Sequence, residues 1–414
     1  MLAGTTRVFE TITGATAVNN WYITDNPAGS TAGPNLCKGT LGNRSFINQV
    51  KYSPKYMSVA IVGTNDGNVQ IGFNLGTGVA SQANWVNVTG ANTVLPNRPI
   101  LGIALDPSVS AANVPVGYAA VGGFNANTPT TLGHVFQVTC AASCASFIWA
   151  DKTGNLPDIP VDSVIVNPNY PQQVFAGSDW GLYFTNDITQ ASPVWYRFDS
   201  GLPHTMIWDM QIDRGSTTLS AWTRGRGAWV FPLTSSNIAT PPVLVSAASR
   251  MTHGNVCGTP GTFDLPLSLS GRTVEPRSDG TGNYTIVLTF DQPVTRGSAG
   301  VSPSGPSSSN VTFSGNSMIV SLTGVTDQQA YTLNASNVGG PNSFSNGSGS
   351  VTVGFLNGDV TGDGFVNVGD TIVVRGQSGA TLDNTNFQYD VNVDGCINVG
   401  DTAVVKSKSG DSLQ

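Results

Sequence analysis

Charge is scarce in this chain of 414 residues: Asp, Glu, Lys and Arg make up 10% of it, against about 25% in ordinary globular proteins. Glutamate is scarcest, with only Glu10 and Glu275, the first on an expected strand and the second in an expected turn. A mechanism built on paired glutamates is thereby excluded unless those distant residues meet. A formal net charge of −7, a sequence pI near 4.8 and the lack of any basic run exclude nucleic acid as a partner. The three histidines, His134, His204 and His253, have no Cys or acidic neighbour at ligand spacing and are expected as plain surface or core residues. No hydrophobic stretch reaches the length of a membrane span. A recognisable signal peptide is also missing, since Met1-Leu-Ala-Gly leads straight into strand-like sequence, which reads as a mature or truncated start. Nor is there a Gly-x-Ser-x-Gly elbow, a Walker loop or a dinucleotide fingerprint. Gly, Ser, Thr and Asn take the place of charge, so the surface is expected to be solvated by neutral polar groups.

Cysteine is also sparse. Five residues, Cys37, Cys140, Cys144, Cys257 and Cys396, cannot all pair within one chain. Cys140-Ala-Ala-Ser-Cys144 suits a disulfide clipping a hairpin tip, which points to an oxidising compartment, and no second Cys or His pair nearby suggests zinc. The pairing of Cys37, Cys257 and Cys396 stays open. Six sequons, at Asn43, Asn87, Asn283, Asn310, Asn334 and Asn346, fit an exposed extracellular surface.

What the sequence does have is repetition. In residues 1–233 one unit recurs about five times: Leu2-Ala-Gly4, Ile61-Val-Gly63, Ala120-Val-Gly122, Val174-Phe-Ala-Gly177 and Leu219-Ser-Ala-Trp222. Trp21, Trp85, Trp149 and Trp195 close four units, and Leu95-Pro96, Leu156-Pro157 and Leu202-Pro203 open three. Strand, turn, strand, hairpin and closing tryptophan at roughly fifty-residue spacing predict propeller blades. This region resembles the repeat propellers of the sialidase and xyloglucanase type, and also the sortilin propeller. The first unit starts at its second strand and the last stops after Val230, so both end blades are expected to be incomplete, with sheet edges that something must cover. Either a longer propeller precedes residue 1, or a neighbouring molecule adds a strand. The propeller arginines, Arg7, Arg44, Arg98, Arg197, Arg214, Arg224 and Arg226, are scattered, which denies the region the arginine cluster that sialidase chemistry implies. Xyloglucanase-type chemistry implies paired aspartates; Asp106, Asp158, Asp162, Asp179, Asp209 and Asp213 are formal candidates, mostly at turn positions where Asp bends the backbone.

From 243 the tryptophans stop. Alternating runs such as Tyr284-Thr-Ile-Val-Leu-Thr-Phe290, Met318-Ile-Val-Ser-Leu322 and Ala330-Tyr-Thr-Leu333, broken by turns every eight to twelve residues, predict an immunoglobulin-like sandwich over 243–355. Residues 356–414 then say one thing twice: Asp359-Val-Thr361-Gly-Asp363-Gly364-Phe365-Val-Asn367-Val-Gly-Asp370 recurs as Asp390-Val-Asn392-Val-Asp394-Gly395-Cys396-Ile-Asn398-Val-Gly-Asp401. Each copy sets oxygen side chains at positions 1, 3, 5, 9 and 12 of a twelve-residue loop with Gly at 6, the pattern of a calcium loop. The pair resembles a type I dockerin, the duplicated calcium module that docks into cohesin domains. That resemblance implies two Ca2+ ions, held by Asp359, Thr361, Asp363, Asn367, Asp370 and the carbonyl of Phe365, and by Asp390, Asn392, Asp394, Asn398, Asp401 and the carbonyl of Cys396. Thr361 departs from the usual Asn or Asp. The helices after the loops carry Gly376, Ser378 and Ser407 instead of a longer leucine-rich helix, so calcium binding carries over better than cohesin binding.

The expected architecture is therefore mainly β: incomplete propeller blades over 1–233, a β-sandwich over 243–355, and a small α-helical, dockerin-like calcium-binding tail over 356–414. The expected role is that of a secreted, non-catalytic structural or adhesive protein that self-associates into a homopolymer or docks on a cohesin-like scaffold. The alternatives are a fragment of a dockerin-bearing glycoside hydrolase, or a surface module binding glycans or protein.

Overall fold

The computed structural model describes residues 1–14, 21–25, 33–199, 201–233, 238–258, 260–340 and 343–414. They fall into two compact units, Met1–Ile238 and Ala239–Gln414.

Short apolar runs punctuated by Gly, Asn and Asp turns fold the first unit into successive antiparallel meanders. The first sheet has three strands, β1 (Leu2–Gly4), β2 (Val8–Glu10) and β3 (Tyr22–Ile23). Three four-stranded sheets follow: β4 (Ile47–Tyr52), β5 (Ala60–Thr64), β6 (Val69–Phe73) and β7 (Asn84–Asn87); β8 (Ile100–Leu105), β9 (Val116–Val121), β10 (Val135–Ala141) and β11 (Ser146–Asp151); β12 (Val161–Val166), β13 (Val174–Ser178), β14 (Gly181–Thr185) and β15 (Tyr196–Arg197). The last again has three, β16 (Ile207–Ile212), β17 (Thr218–Thr223) and β18 (Ala228–Pro232). β4 packs beside β8, β8 beside β12 and β12 beside β16. The leading strands of successive sheets thus adjoin in chain order, as blades of a propeller do.

Two repeated contacts hold blade to blade. Gly4, Gly63 and Gly177 sit where the next blade's leading strand comes closest: an added Cβ would lie 2.9 Å from Ile47 Cγ2, 2.6 Å from Ile100 Cγ2 and 2.8 Å from Ile207 Cγ2. Each closing tryptophan also donates its indole N–H to the blade before it, Trp85 to Thr24 Oγ1 (2.8 Å), Trp149 to the Val88 carbonyl (2.6 Å) and Trp195 to the Lys152 carbonyl (2.9 Å). Trp21, with no blade before it among the described residues, is exposed. The strand register amends the repeat alignment at one place. Gly63 pairs with Gln49, Ala120 with Gly102 and Gly177 with Ser163, so Ala120 rather than Gly122 stands in the third blade where Gly63 stands in the second.

In the second unit one sheet runs in the order β20-β19-β22-β25-β24, where β19 is Leu244–His253, β20 Gly261–Leu267, β22 Tyr284–Phe290, β24 Ser307–Ser314 and β25 Ser317–Thr323. The other runs β21-β27-β26-β23, where β21 is Arg272–Glu275, β23 Arg296–Ser302, β26 Gln329–Gly339 and β27 Gly347–Phe355, with β21 parallel to β27. Their inward residues, among them Ile286, Leu288, Val320, Leu333, Val351 and Phe355, share one core. Glu275 ends strand β21 and is not in a turn as expected; Pro276 follows it, and its carboxylate takes Arg277 in a buried ion pair at 2.8 Å. Helices α1 (Val368–Gln377) and α2 (Val399–Ser407) close the chain. Val366, Val374, Val391 and Val405 pack with Val274 and Leu356, so residues on both sides of position 356 share a core within Ala239–Gln414.

Candidate metal centre

Each tail loop turns on a glycine at its sixth position, Gly364 at φ +91° and Gly395 at φ +92°, a backbone region that side chains rarely enter. The turn brings the first and sixth residues together. Asp359 accepts from the backbone N–H of Gly364 (2.8 Å), and Asp390 accepts from that of Gly395 (2.9 Å). The twelfth residue closes the loop from the other side. Asp370 accepts from the N–H groups of Thr361 (3.0 Å) and Asn367 (2.9 Å), and Asp401 from those of Asn392 (3.4 Å) and Asn398 (2.8 Å). Asp363 and Asp394 accept from the N–H of the seventh residues, Phe365 and Cys396, each at 2.9 Å. Asn367 and Asn398 cap α1 and α2, accepting from Gly369 (2.6 Å) and Gly400 (2.5 Å). These bonds recur at the same positions in both loops; others differ, since Thr361 donates its hydroxyl to Asp370 (2.9 Å) while Asn392 donates its amide to Asp394 (3.2 Å).

Their first and twelfth carboxylates are alike in burial. Asp359, Asp370, Asp390 and Asp401 are all buried, Asp359 at 1% exposure. Burial, reinforced by Asp370 and Asp363, raises the Asp359 carboxyl above the usual range. Burial, reinforced by Asp390 and Asp394, pushes Asp401 up to about 6. Carboxylates gathered out of water are held at a cost that a proton or a metal ion removes. The donor types at positions 1, 3, 5, 7, 9 and 12, all oxygen, suit a hard divalent cation. As the side chains stand, no three His, Cys, Asp or Glu groups among the described residues are drawn together at metal-holding distance; the remaining donors would be Thr361, Asn367, Asn392, Asn398 and backbone carbonyls.

The second loop has supports that the sequence did not reveal. His253 Nδ1 lies 2.7 Å from Asp390 Oδ2, and Arg277 Nη1 lies 3.3 Å from the other ring nitrogen of His253. Backbone N–H groups of Gly254 and Val256 donate to the carbonyls of Val393 (2.8 Å) and Asp394 (3.1 Å). A disulfide joins Cys257 to Cys396, and another joins Cys140 to Cys144 across the β10–β11 hairpin; Cys37 is free and buried. His134 and His253 are core residues and His204 a surface one, as expected, but each meets an aspartate that spacing along the chain did not show: His134 lies 2.9 Å from Asp158, His204 3.6 Å from Asp199 and His253 2.7 Å from Asp390. Asp390 is separated from His253 by 137 positions in the chain, and no local spacing rule reaches that far.

The aspartates of the first unit mostly bend turns. Asp106 accepts from Ser108, and exposed Asp213 accepts from Gly215, Thr217 and Thr218; the bonds from Thr218 and Thr217 pull its carboxyl down to about 2. Asp158 holds His134 and the N–H of Asn125. Asp162 is buried, and its burial together with the nearby Asp179 raises its carboxyl to about 8. Asp209 accepts from Gln49 (3.3 Å) and faces Lys51 (3.7 Å). Glu10 accepts from Tyr22, Tyr52 and the Gly76 N–H and is used up by its own packing.

No family model matches the chain, and no curated protein matches it. Among solved structures the chain is similar to the beta-propeller domain of Cps50 (Swd1) from Myceliophteria thermophila, at 10% sequence identity and a TM-score of 0.32, over 60% of this chain and 68% of that one.

Proposed function

We propose that this chain is a secreted, non-catalytic, calcium-binding structural or adhesive protein that self-associates through its unfinished sheets. The observation that carries the reading is the wiring that the two tail loops share, each holding buried carboxylates at positions 1 and 12 around a glycine turn. In this reading the first unit is a sialidase-, xyloglucanase- or sortilin-like propeller, the paired sheets are an immunoglobulin-like domain, and the helical tail is a type I dockerin-like module with two calcium sites. Calcium, when bound, supplies the divalent charge that offsets the carboxylates of each loop. The chain itself orients those carboxylates through backbone N–H groups and fixes helices α1 and α2 at their caps. The test is hydrogen exchange of residues 357–410. A chelator is expected to loosen this segment before the rest of the chain, and Asp363→Ala with Asp394→Ala to remove the response; exchange that ignores the chelator sinks the reading.

Self-association is supported by the first and last sheets of this unit, which among the described residues have three strands where its other sheets have four, with β1 and β18 each at an edge. A strand added by a second copy would satisfy those edges and, joining copies head to tail without closure, yield a fibre. Such a contact is expected to bury more than about 1,000 Å², and sedimentation with electron microscopy should find filaments. A stable monomer refutes the fibre and leaves a surface module for glycans, protein or a cohesin-like scaffold. The rival reading, a glycoside hydrolase, takes over if xyloglucan or sialosides are turned over and turnover is lost on changing Asp209 or Asp179.

A further inference from the structure

Each leading strand of the four later blades slips register once, at the same place: between Ile47 and Gln49, Ile100 and Gly102, Val161 and Ser163, and Ile207 and Asp209. A bulge of this kind re-aims a side chain and is common beside functional sites. The residues inside the four bulges are Asn48, Leu101, Asp162 and Trp208. All four line one cavity of about 400 Å³, with Gln49, Met206 and Asp209. One backbone device therefore presents four different chemistries to a common space: an amide, an alkyl chain, a carboxylate and an indole. Packing alone asks for no such diversity, because the residue before each bulge stays β-branched and apolar throughout.

The polar groups here are incompletely matched. Asp162 is 6% exposed, and its Oδ2 has no hydrogen-bond partner among the described residues. Asp179, from the turn after β13, stands beside it. Asp209, on β16, faces Lys51 of β4 at 3.7 Å, and the Lys51 Nζ makes no hydrogen bond among the described residues. Two carboxyl groups, Asp162 and Asp209, thus line the cavity, and the one ammonium beside them, that of Lys51, meets Asp209. Trp208, 62% exposed, offers an aromatic face in the same cavity.

We propose that this cavity binds an organic cation bearing N–H donors, a primary ammonium or a guanidinium, with Asp162 as its anchor and Trp208 as its aromatic platform. Such a group donates to the unpartnered oxygen, offsets the excess negative charge and stacks on the indole, each a recognised attraction. A neutral sugar would satisfy the oxygen and leave the charge; a quaternary ammonium would meet the indole and donate nothing. Burial and Asp179 hold the Asp162 carboxyl up to about 8, so near neutrality the cation displaces a proton shared by the pair.

The experiment is calorimetric titration of the full chain with agmatine in two buffers of different ionisation enthalpy. The expected result is saturable binding with proton release and an affinity that rises from about pH 6.5 to about pH 8.5. Asp162→Asn and Trp208→Ala are each expected to weaken it roughly tenfold or more, the loss of one charge-assisted contact. Asp213→Asn, in an exposed turn, should leave it unchanged. Trp208 is exposed, so its variant reads the site even if Asp162→Asn disturbs folding. Absence of saturable agmatine binding overturns the proposal, as does binding indifferent to Asp162 and Trp208. Cellotetraose binding with the same residue dependence and no proton release overturns it in favour of a neutral glycan. Sedimentation then assigns the source: assemblies that agmatine dissolves take the cation from a Lys or Arg of a second copy, and an unchanged coefficient assigns a free small cation.

Discussion

A carboxyl group buried beside another carboxyl ionises late, and Asp162 is the instance in this chain. Its carboxyl is raised from the ordinary aspartate range to about 8, first by burial and then by Asp179. The folded form thus holds a proton that the unfolded form releases near pH 4. The stability tied to this proton is fully present below about pH 4 and is lost as pH climbs towards about 8. Asp162→Asn, which keeps the shape and removes the ionisation, is expected to flatten that fall. Urea midpoints of the variant should exceed those of the parent at about pH 9 and differ less at about pH 5; equal gaps at both would contradict this account.

At the scale of the element, blades lock through a missing side chain. Gly63 leaves room for Ile100 of the next leading strand, and a methyl group there would sit 2.6 Å from Ile100 Cγ2. Gly63→Ala is expected to cost about 1–3 kcal/mol, the usual range for overpacking a filled core, measured by chemical denaturation. The last blade supplies the contrast. Trp222, opposite Asp209 in β17, takes the place that Gly63 holds opposite Gln49 and is partly exposed, with no later blade among the described residues to crowd it. Trp222→Ala should cost less than Gly63→Ala despite removing a far larger group.

For the whole molecule, covalent closure matters most where the loop is longest. Cys140 and Cys144 are separated by 4 positions and Cys257 and Cys396 by 139. In the chain-entropy account the first bond contributes about 2 kcal/mol and the second about 5 kcal/mol. Replacing Cys257 and Cys396 together by Ser should therefore lower stability more than replacing Cys140 and Cys144. Hydrogen exchange should also show the second calcium loop opening before the first, because Cys396 belongs to that loop. Equal losses for the two pairs, with both loops opening together, would count against the disulfide as the support of the second loop.

Much was legible in the sequence because it was written as repetition. The blade unit, its closing tryptophans, the strands at Tyr284–Phe290 and Gln329–Gly339 and the duplicated loops with Gly364 and Gly395 all follow from local period, turn chemistry and recurrence, which act over a few residues. The Cys140–Cys144 bond was readable for the same reason, its partners lying within one hairpin. Tertiary structure alone decided which distant groups meet. It set His253 against Asp390, joined Cys257 to Cys396, placed Ala120 where the repeat alignment put Gly122, and gave all three histidines an aspartate. It also turned Asn48, Leu101, Asp162 and Trp208 into one lining, since four bulges on separate strands become neighbours only when the blades pack around a common space.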